Sequence, residues 1–302
     1  AVLGGHSGFV NAVACTVIDS RPHAITGGSD GAVRVWDLSD GTVRDVLGGH
    51  SGFVNAVACT VIDSRPHAIT GGSDEAVRVW DLSDGTVRDV LGGHSGSVNA
   101  IACTVIDSRP HAITGGFDGA LRVWDLSDGT VRDVLDGHSD SVKAVACTVI
   151  DGRPHAITGG FYGAVRVWDL SDGTVRDVLD GHSGSVNAIA CTVIDSRPHA
   201  ITGGSDGALR VWDLSDGTVR AVLGGHSGSV NAVACTVIDS RPHAITGGFD
   251  EAVRVWDLTF DRLVDTIATP LNSNALAVSG NDIVIGMWKE VAVITRMGQG
   301  NL

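Results

Sequence analysis

The chain has 302 residues, 43% of them hydrophobic and only 5% aromatic, which is enough apolar material for a packed fold. A net charge of −14, with Lys143 and Lys289 the only lysines, argues against a general nucleic-acid surface, because phosphate binding needs clustered Lys and Arg. No apolar run is long enough to cross a bilayer, and no basic-then-apolar leader opens the sequence.

In chain order, residues 1–3 match residues 45–47 and read as the end of a strand whose partners must lie at the C-terminus. Residues 10–17 predict a first full strand. Residues 24–38 hold two short β-branched runs about a glycine and aspartate turn, the signature of a tight hairpin, and residues 42–47 predict a further strand. The pattern then returns with a fixed period. Tryptophan falls at Trp36, Trp80, Trp124, Trp168, Trp212 and Trp256, each 44 residues after the last, and a Gly-His dipeptide places His6, His50, His94, His138, His182 and His226 on the same step. After the sixth tryptophan a divergent tail predicts strands at 262–268, 274–279, 282–287 and 291–295. A repeat of this length means a ring or solenoid in which each unit packs on its neighbours, so one domain spanning 1–302 is expected despite the length. Because Ala1 sits inside a repeat, the chain is expected to be a processed product or a piece of a longer protein.

Four strands per unit, with Gly-His near the start and Trp-Asp thirty residues on, closely resemble the WD-repeat β-propeller family. The resemblance implies an all-β fold: a seven-bladed propeller with four antiparallel strands per blade. Six near-identical 44-residue units begin at the Gly-His histidines. The divergent seventh blade, 270–302, is closed by residues 1–3, so that both chain ends complete one blade. The alternative is six blades and a disordered tail. In the seventh unit Pro270, Val284, Trp288 and Ile294 are expected where the others carry His, Thr, Asp and Trp, which marks it as a purely structural cap.

The resemblance also implies a hydrogen-bonded tetrad inside each blade, since buried indole and imidazole N–H groups must find acceptors. The sets are His6, Thr26, Asp30 and Trp36; His50, Thr70, Asp74 and Trp80; His94, Thr114, Asp118 and Trp124; His182, Thr202, Asp206 and Trp212; and His226, Thr246, Asp250 and Trp256. The fourth unit keeps His138, Thr158 and Trp168 but has Tyr162 for the aspartate. A phenol is too large for that niche, so Tyr162 is expected to swing out onto the face of the ring. Thr-His-Asp sets in five copies read as structure, not as catalytic triads, and no cofactor or metal is expected.

Cys15, Cys59, Cys103, Cys147, Cys191 and Cys235 also step by 44 and are expected as buried free thiols on separate blades, too far apart to pair, which favours a reducing cytoplasm. A second histidine set, His23, His67, His111, His155, His199 and His243, follows Arg-Pro and is expected in solvated loop or strand-start positions on the face opposite the Gly-His loops.

Because the units are so alike, their differences stand out. The loop before the first strand carries Phe9 and Phe53 where the other copies have serine, with Asp140 for Gly8 and Lys143 for Asn11. The hairpin turn carries Phe117, Phe161 and Phe249 where the others have serine, Tyr162 for Asp30, and Glu75 and Glu251 for Gly31. Both loops lie at one end of the strands. By resemblance this is the face that propellers use for peptides and protein partners, and exposed phenylalanines mark contact sites. The expected function is a non-catalytic, monomeric scaffold or sensor that binds protein or peptide, and neither nucleic acid nor membrane. The near-identical copies resemble propellers appended to larger bacterial signalling proteins. A self-assembling structural ring is the alternative.

Overall fold

The computed structural model describes residues 1–295, which fold as seven four-stranded antiparallel sheets without helix. The first blade shows why the sequence folds as it does. Strand β1 (Val2–Gly4) belongs elsewhere; β2 (Val10–Ile18), β3 (Arg21–Gly28), β4 (Val33–Asp37) and β5 (Val43–Leu47) form one meander, with β2 lining the central channel. The β2–β3 connection is Asp19-Ser20 with φ of 50° and 63°, a tight turn with two left-handed residues whose twist matches the strands. The fourth blade puts Gly152 at the second of these positions, where the left-handed backbone costs least.

Neighbouring blades bury their apolar faces together. Ile25, Val33, Val35 and Leu47 of blade one meet Val54, Ala68, Trp80 and Leu82 of blade two, and the indole of each full unit is likewise set against the blade before it. Gly27 is required at this seam: a Cβ there would lie 2.5 Å from Val54 Cγ1. The outermost strand of each blade leaves one edge unpaired, and Arg44 and Asp45 show how charge blunts it against edge-to-edge pairing.

The ring closes through both chain ends. The last sheet has the order β1, β28 (Glu290–Thr295), β27 (Asp282–Gly286), β26 (Ala275–Ser279), with Leu3 opposite Val291. The remainder of the expected closure, residues 296–302, lies outside the described residues. Register corrects two of the four expected equivalences in this blade. Ala275 pairs with Gly286 as Ala12 pairs with Gly27, so Ile285, not Val284, takes the threonine place, and Thr269, not Pro270, falls at the histidine count. Ile294 does take the tryptophan place, opposite Ile283 as Trp36 is opposite Ala24. Both fit because the turn between β27 and β28 is one residue shorter than its counterparts, and Trp288 lies in that turn.

Two other expectations change. His23 and its counterparts are buried strand residues: His23 Nδ1–H donates to Arg21 O at 2.9 Å, and Nε2 lies 3.9 Å from Asp37 Oδ2. Arg-Pro is the start of β3, paired with Ile18 and Val17, so the strand-start placement holds and the expected solvation does not. The cysteines are free but half-buried, not buried, and burial pushes the thiols of Cys15, Cys103 and Cys191 up to about 12. They remain protonated at neutral pH and make poor nucleophiles.

Ser273 fills the place that Val10, Val54, Val98, Val142, Val186 and Val230 fill elsewhere, fully buried, with a hydroxyl that has no hydrogen-bond partner. Ser273→Val restores the apolar contact and removes the orphan hydroxyl. It is expected to stabilise the protein by about 1–3 kcal/mol, read as a higher urea midpoint with unchanged slope.

Candidate functional site: the upper rim

The loop before each first strand and the turn of each central hairpin meet at one end of the blade, here the upper face. They are tied by a backbone bond: Ser29 N–H donates to Phe9 O at 2.7 Å, Phe117 N–H to Ser97 O at 2.8 Å, Phe161 N–H to Ser141 O at 3.1 Å and Phe249 N–H to Ser229 O at 3.0 Å. The two variable positions of a blade therefore stand side by side on a fixed backbone.

Phe9, Phe53, Phe117, Phe161, Tyr162 and Phe249 are all exposed, between 43% and 71%. Two groups form. In the first, the Lys143 ammonium sits 5.0 Å from the centroid of the Phe161 ring, Tyr162 meets Phe161 edge to face at 5.3 Å, and a cavity of ≈ 370 Å³ opens between Asn99, Phe117, Ser141, Lys143, Phe161 and Asn187. In the second, Phe9 lies 6.4 Å from Trp288, and a cavity of ≈ 690 Å³ is lined by both with Phe249, Leu271 and Asn274. Phe53, on blade two, lines neither cavity. The sixth phenylalanine, Phe260, is on the opposite face between Arg241 and Arg262.

The charged candidates are placed differently. Asp140 is half-buried, with Oδ1 accepting the Ser141 N–H. Glu75 and Glu251 are exposed and left-handed, with φ of 65° and 54°, where Gly31 has 76°. That conformation costs a side-chain-bearing residue about 1–2 kcal/mol, so each glutamate is kept on the rim against a local penalty.

Residues that the sequence reading passed over complete the face. Asn11, Asn55, Asn99, Asn187, Asn231 and Asn274 ring the mouth of the channel, with Lys143 at the seventh position. Their amides reach toward the next blade, as when Asn11 Nδ2 donates to Val54 O at 3.1 Å and Asn99 Nδ2 to Ser141 Oγ at 3.0 Å. The signal was the constancy of asparagine at the repeat step, which a search for differences overlooks. Trp288 is 48% exposed on this rim, so the seventh blade contributes to the surface and is not a structural cap alone.

Beneath the rim the tetrads form as expected. In the six full units Trp Nε1–H donates to Thr Oγ1 at 2.8–2.9 Å and His Nε2 lies 2.6–2.8 Å from the same oxygen. Where the aspartate is present, His Nδ1 lies 2.8–3.1 Å from it. In these five sets the arginine Nη1 also lies 2.7–2.9 Å from His Nδ1, but the aspartate beside it holds the Nδ1 proton, so the chain of donors runs one way: Trp N–H to Thr, Thr O–H to His Nε2, His Nδ1–H to Asp. The threonines are fully buried, which closes their hydroxyls to any substrate.

A model of the family described as "WD domain, G-beta repeat" matches residues 1–37, 40–81, 84–125, 128–169, 172–213 and 216–257. The chain belongs to the WD-repeat family. No curated protein matches it. WD-repeat propellers generally serve as non-catalytic scaffolds that bind proteins or peptides.

The fourth repeat alone departs from the WD-repeat tetrad. Tyr162 swings out, 71% exposed, and Arg166 Nη1–H donates to His138 Nδ1 at 3.1 Å. An accepting Nδ1 forces the proton onto Nε2, so both His138 and Trp168 donate to Thr158 and the threonine's own proton has no acceptor within the set. Burial, and then the Arg166 charge, lower His138 to about 4. Tyr162→Asp should restore the one-way chain and stabilise by roughly 1–3 kcal/mol, a rise of a few degrees in Tm; an unchanged or lower Tm contradicts this.

The other five histidines are also lowered from 6.5, by burial first and against the pull of their aspartates. A histidine held neutral in the fold contributes stability above its unfolded value, and that contribution is lost as pH falls toward the folded value. Burial pushes the Asp30 carboxyl up, but bonds from Ser7 N–H, His6 and Ala32 N–H outweigh it and hold the group at about 2, against 3.8. Thermal melts should therefore show a Tm that is steady above pH 6.5, falls below pH 6.5 with the histidines, down to about pH 4 for His138, and falls again below pH 3.8 with the aspartates, down to about pH 2 for Asp30.

Proposed function

We propose that the ring is a non-catalytic module that holds a protein or peptide across its upper face. Phe9, Phe53, Phe117, Phe161, Tyr162 and Phe249 serve as apolar anchors, while Lys143, Asp140, Glu75 and Glu251 set the charge preference. One observation carries the reading: of the seven aromatic residues that vary among the otherwise near-identical repeats, six are exposed on the same rim and only Phe260 lies on the opposite face. Large exposed aromatic groups lower solubility and typify contact hot spots. The backbone bonds that fix the loops mean that little ordering entropy is lost on binding. Trp288 and Leu271 extend the second cluster. The likeness among copies fits a sensor unit of a larger cytoplasmic signalling protein, by analogy of fold.

The test uses the repeats' own alternative. Serine occupies both variable positions in sister copies, so a ring with Phe9, Phe53, Phe117, Phe161 and Phe249 all changed to serine keeps its frame. Capture from a bacterial lysate with the wild-type ring should yield a partner that the serine ring fails to hold. Equal capture by both rings overturns the reading. Sedimentation of the wild-type ring alone, if it shows association that the serine ring loses and capture yields nothing further, replaces it with ring-to-ring assembly.

A further inference from the structure

Five blades show what a completed tetrad does with its carboxylate. Asp30 accepts the Ser7 N–H at 2.9 Å and the Arg34 Nη1–H at 3.0 Å and lies 2.9 Å from His6 Nδ1. The same three donors meet Asp74, Asp118, Asp206 and Asp250, with backbone distances of 3.1–3.2 Å and arginine distances of 2.7–2.9 Å. This is a recurring carboxylate seat, built from a loop N–H, an imidazole and a guanidinium.

Blade four keeps all three parts of that seat, Ser139, His138 and Arg166, while the side chain that would fill it points away. Arg166 makes no ion pair among the described residues, and its one hydrogen bond goes to His138. Asp140 does not complete the seat: its carboxylate accepts the Ser141 N–H, and among the described residues it makes no hydrogen bond or ion pair with Ser139, His138 or Arg166. His138 is half-buried, as is His226, while the other four histidines of the set are buried. Beside it stand the exposed Phe161 and Tyr162 rings and the Lys143 ammonium, the one lysine on the channel mouth.

We propose that blade four receives one carboxylate of the bound peptide, from an aspartate or glutamate side chain or from a chain end, between Ser139 N–H, His138 Nδ1 and Arg166. A built-in aspartate fills the same place in the five sister blades. On binding, the His138 proton moves to Nδ1 and Nε2 becomes the acceptor for Thr158 O–H, so the ligand completes the tetrad. Charge-assisted bonds of this kind are the strong ones, and the arginine is already positioned by the fold. The partner's preferred segment thus carries an acid next to an apolar or aromatic residue that reaches the Phe117–Phe161 cavity. This deepens the binding reading above and rests on it for the identity of the ligand as a peptide.

The test is side-chain nitrogen NMR of the histidines, with three probes: N-acetyl-aspartyl amide, N-acetyl-alanine and N-acetyl-asparaginyl amide. The expected result is a saturable millimolar response at His138, with its proton shifting from Nε2 to Nδ1 and its pKa rising, for the aspartyl or the alanyl probe and not for the asparaginyl one. Response to the first marks a side-chain carboxylate, and response to the second a chain end. Tyr162→Asp should abolish the response by filling the seat from within, while Tyr162→Ala should keep it. No response at His138, or an equal one in Tyr162→Asp, overturns the proposal. The two readings fail separately. A partner that binds the wild-type and Tyr162→Asp rings alike sinks the carboxylate seat and spares the binding face, whereas a carboxylate response in a ring that captures no partner does the reverse.

Discussion

An indole buried against a neighbouring blade must still hydrogen-bond through its N–H, and the rest of the structure follows from how that is done. The Trp36 ring packs among Leu3, Val284 and Val291 of the blade before it, while its N–H turns back to Thr26 of its own blade. The bond commits the threonine to the histidine, the histidine to an aspartate, and the aspartate to the Ser7 N–H of the loop above. One network therefore runs from the seam between blades to the upper rim. Packing that stabilises the ring also immobilises the loops, so stability and a preformed surface have the same physical origin.

Such a scaffold separates what must stay constant from what is free to change. Positions 9 and 29 of the first repeat are linked through their backbones, not their side chains, so serine and phenylalanine are both accepted there without disturbing the network beneath. The left-handed turn position is less tolerant, yet Glu75 and Glu251 hold it with φ above 50°. A conformational penalty retained at two of six equivalent turns, both on the rim, points to work done by the side chain outside the fold.

The fold was legible because polar landmarks recur at a fixed step: with His, Thr, Asp and Trp in register, strand order and blade count follow. Legibility ended where those landmarks did. The seventh blade has none of them, and a turn shorter by one residue shifted Ile285 for Val284 while leaving Ile294 in place. The aromatic residues of the rim were visible as departures from the repeat, and their exposure follows from where the two loops lie. The asparagine ring at the channel was hidden by its own regularity, and Trp288 by the lack of any copy to compare it with. Burial of the His23 set was not legible because a histidine next to Arg-Pro at the start of a strand suggests solvent, whereas the ladder continues past it to Ile18.

The fourth and seventh blades lost the same network in opposite ways, and the difference explains their contrasting character. In the seventh, Ile285 and Ile294 stand in for threonine and tryptophan together, and the seam is filled with Leu276, Ile283 and Met287. Removing donor and acceptor at once leaves nothing to satisfy and costs little. In the fourth, only the acceptor at the end of the chain is gone. The half-buried histidine and arginine remain, bonded to each other where the sister blades set an aspartate between them. A blade that discards its network closes its seam with apolar packing, while a blade that discards only the last member keeps a histidine and an arginine with no carboxylate between them, near the rim where the aromatic residues gather.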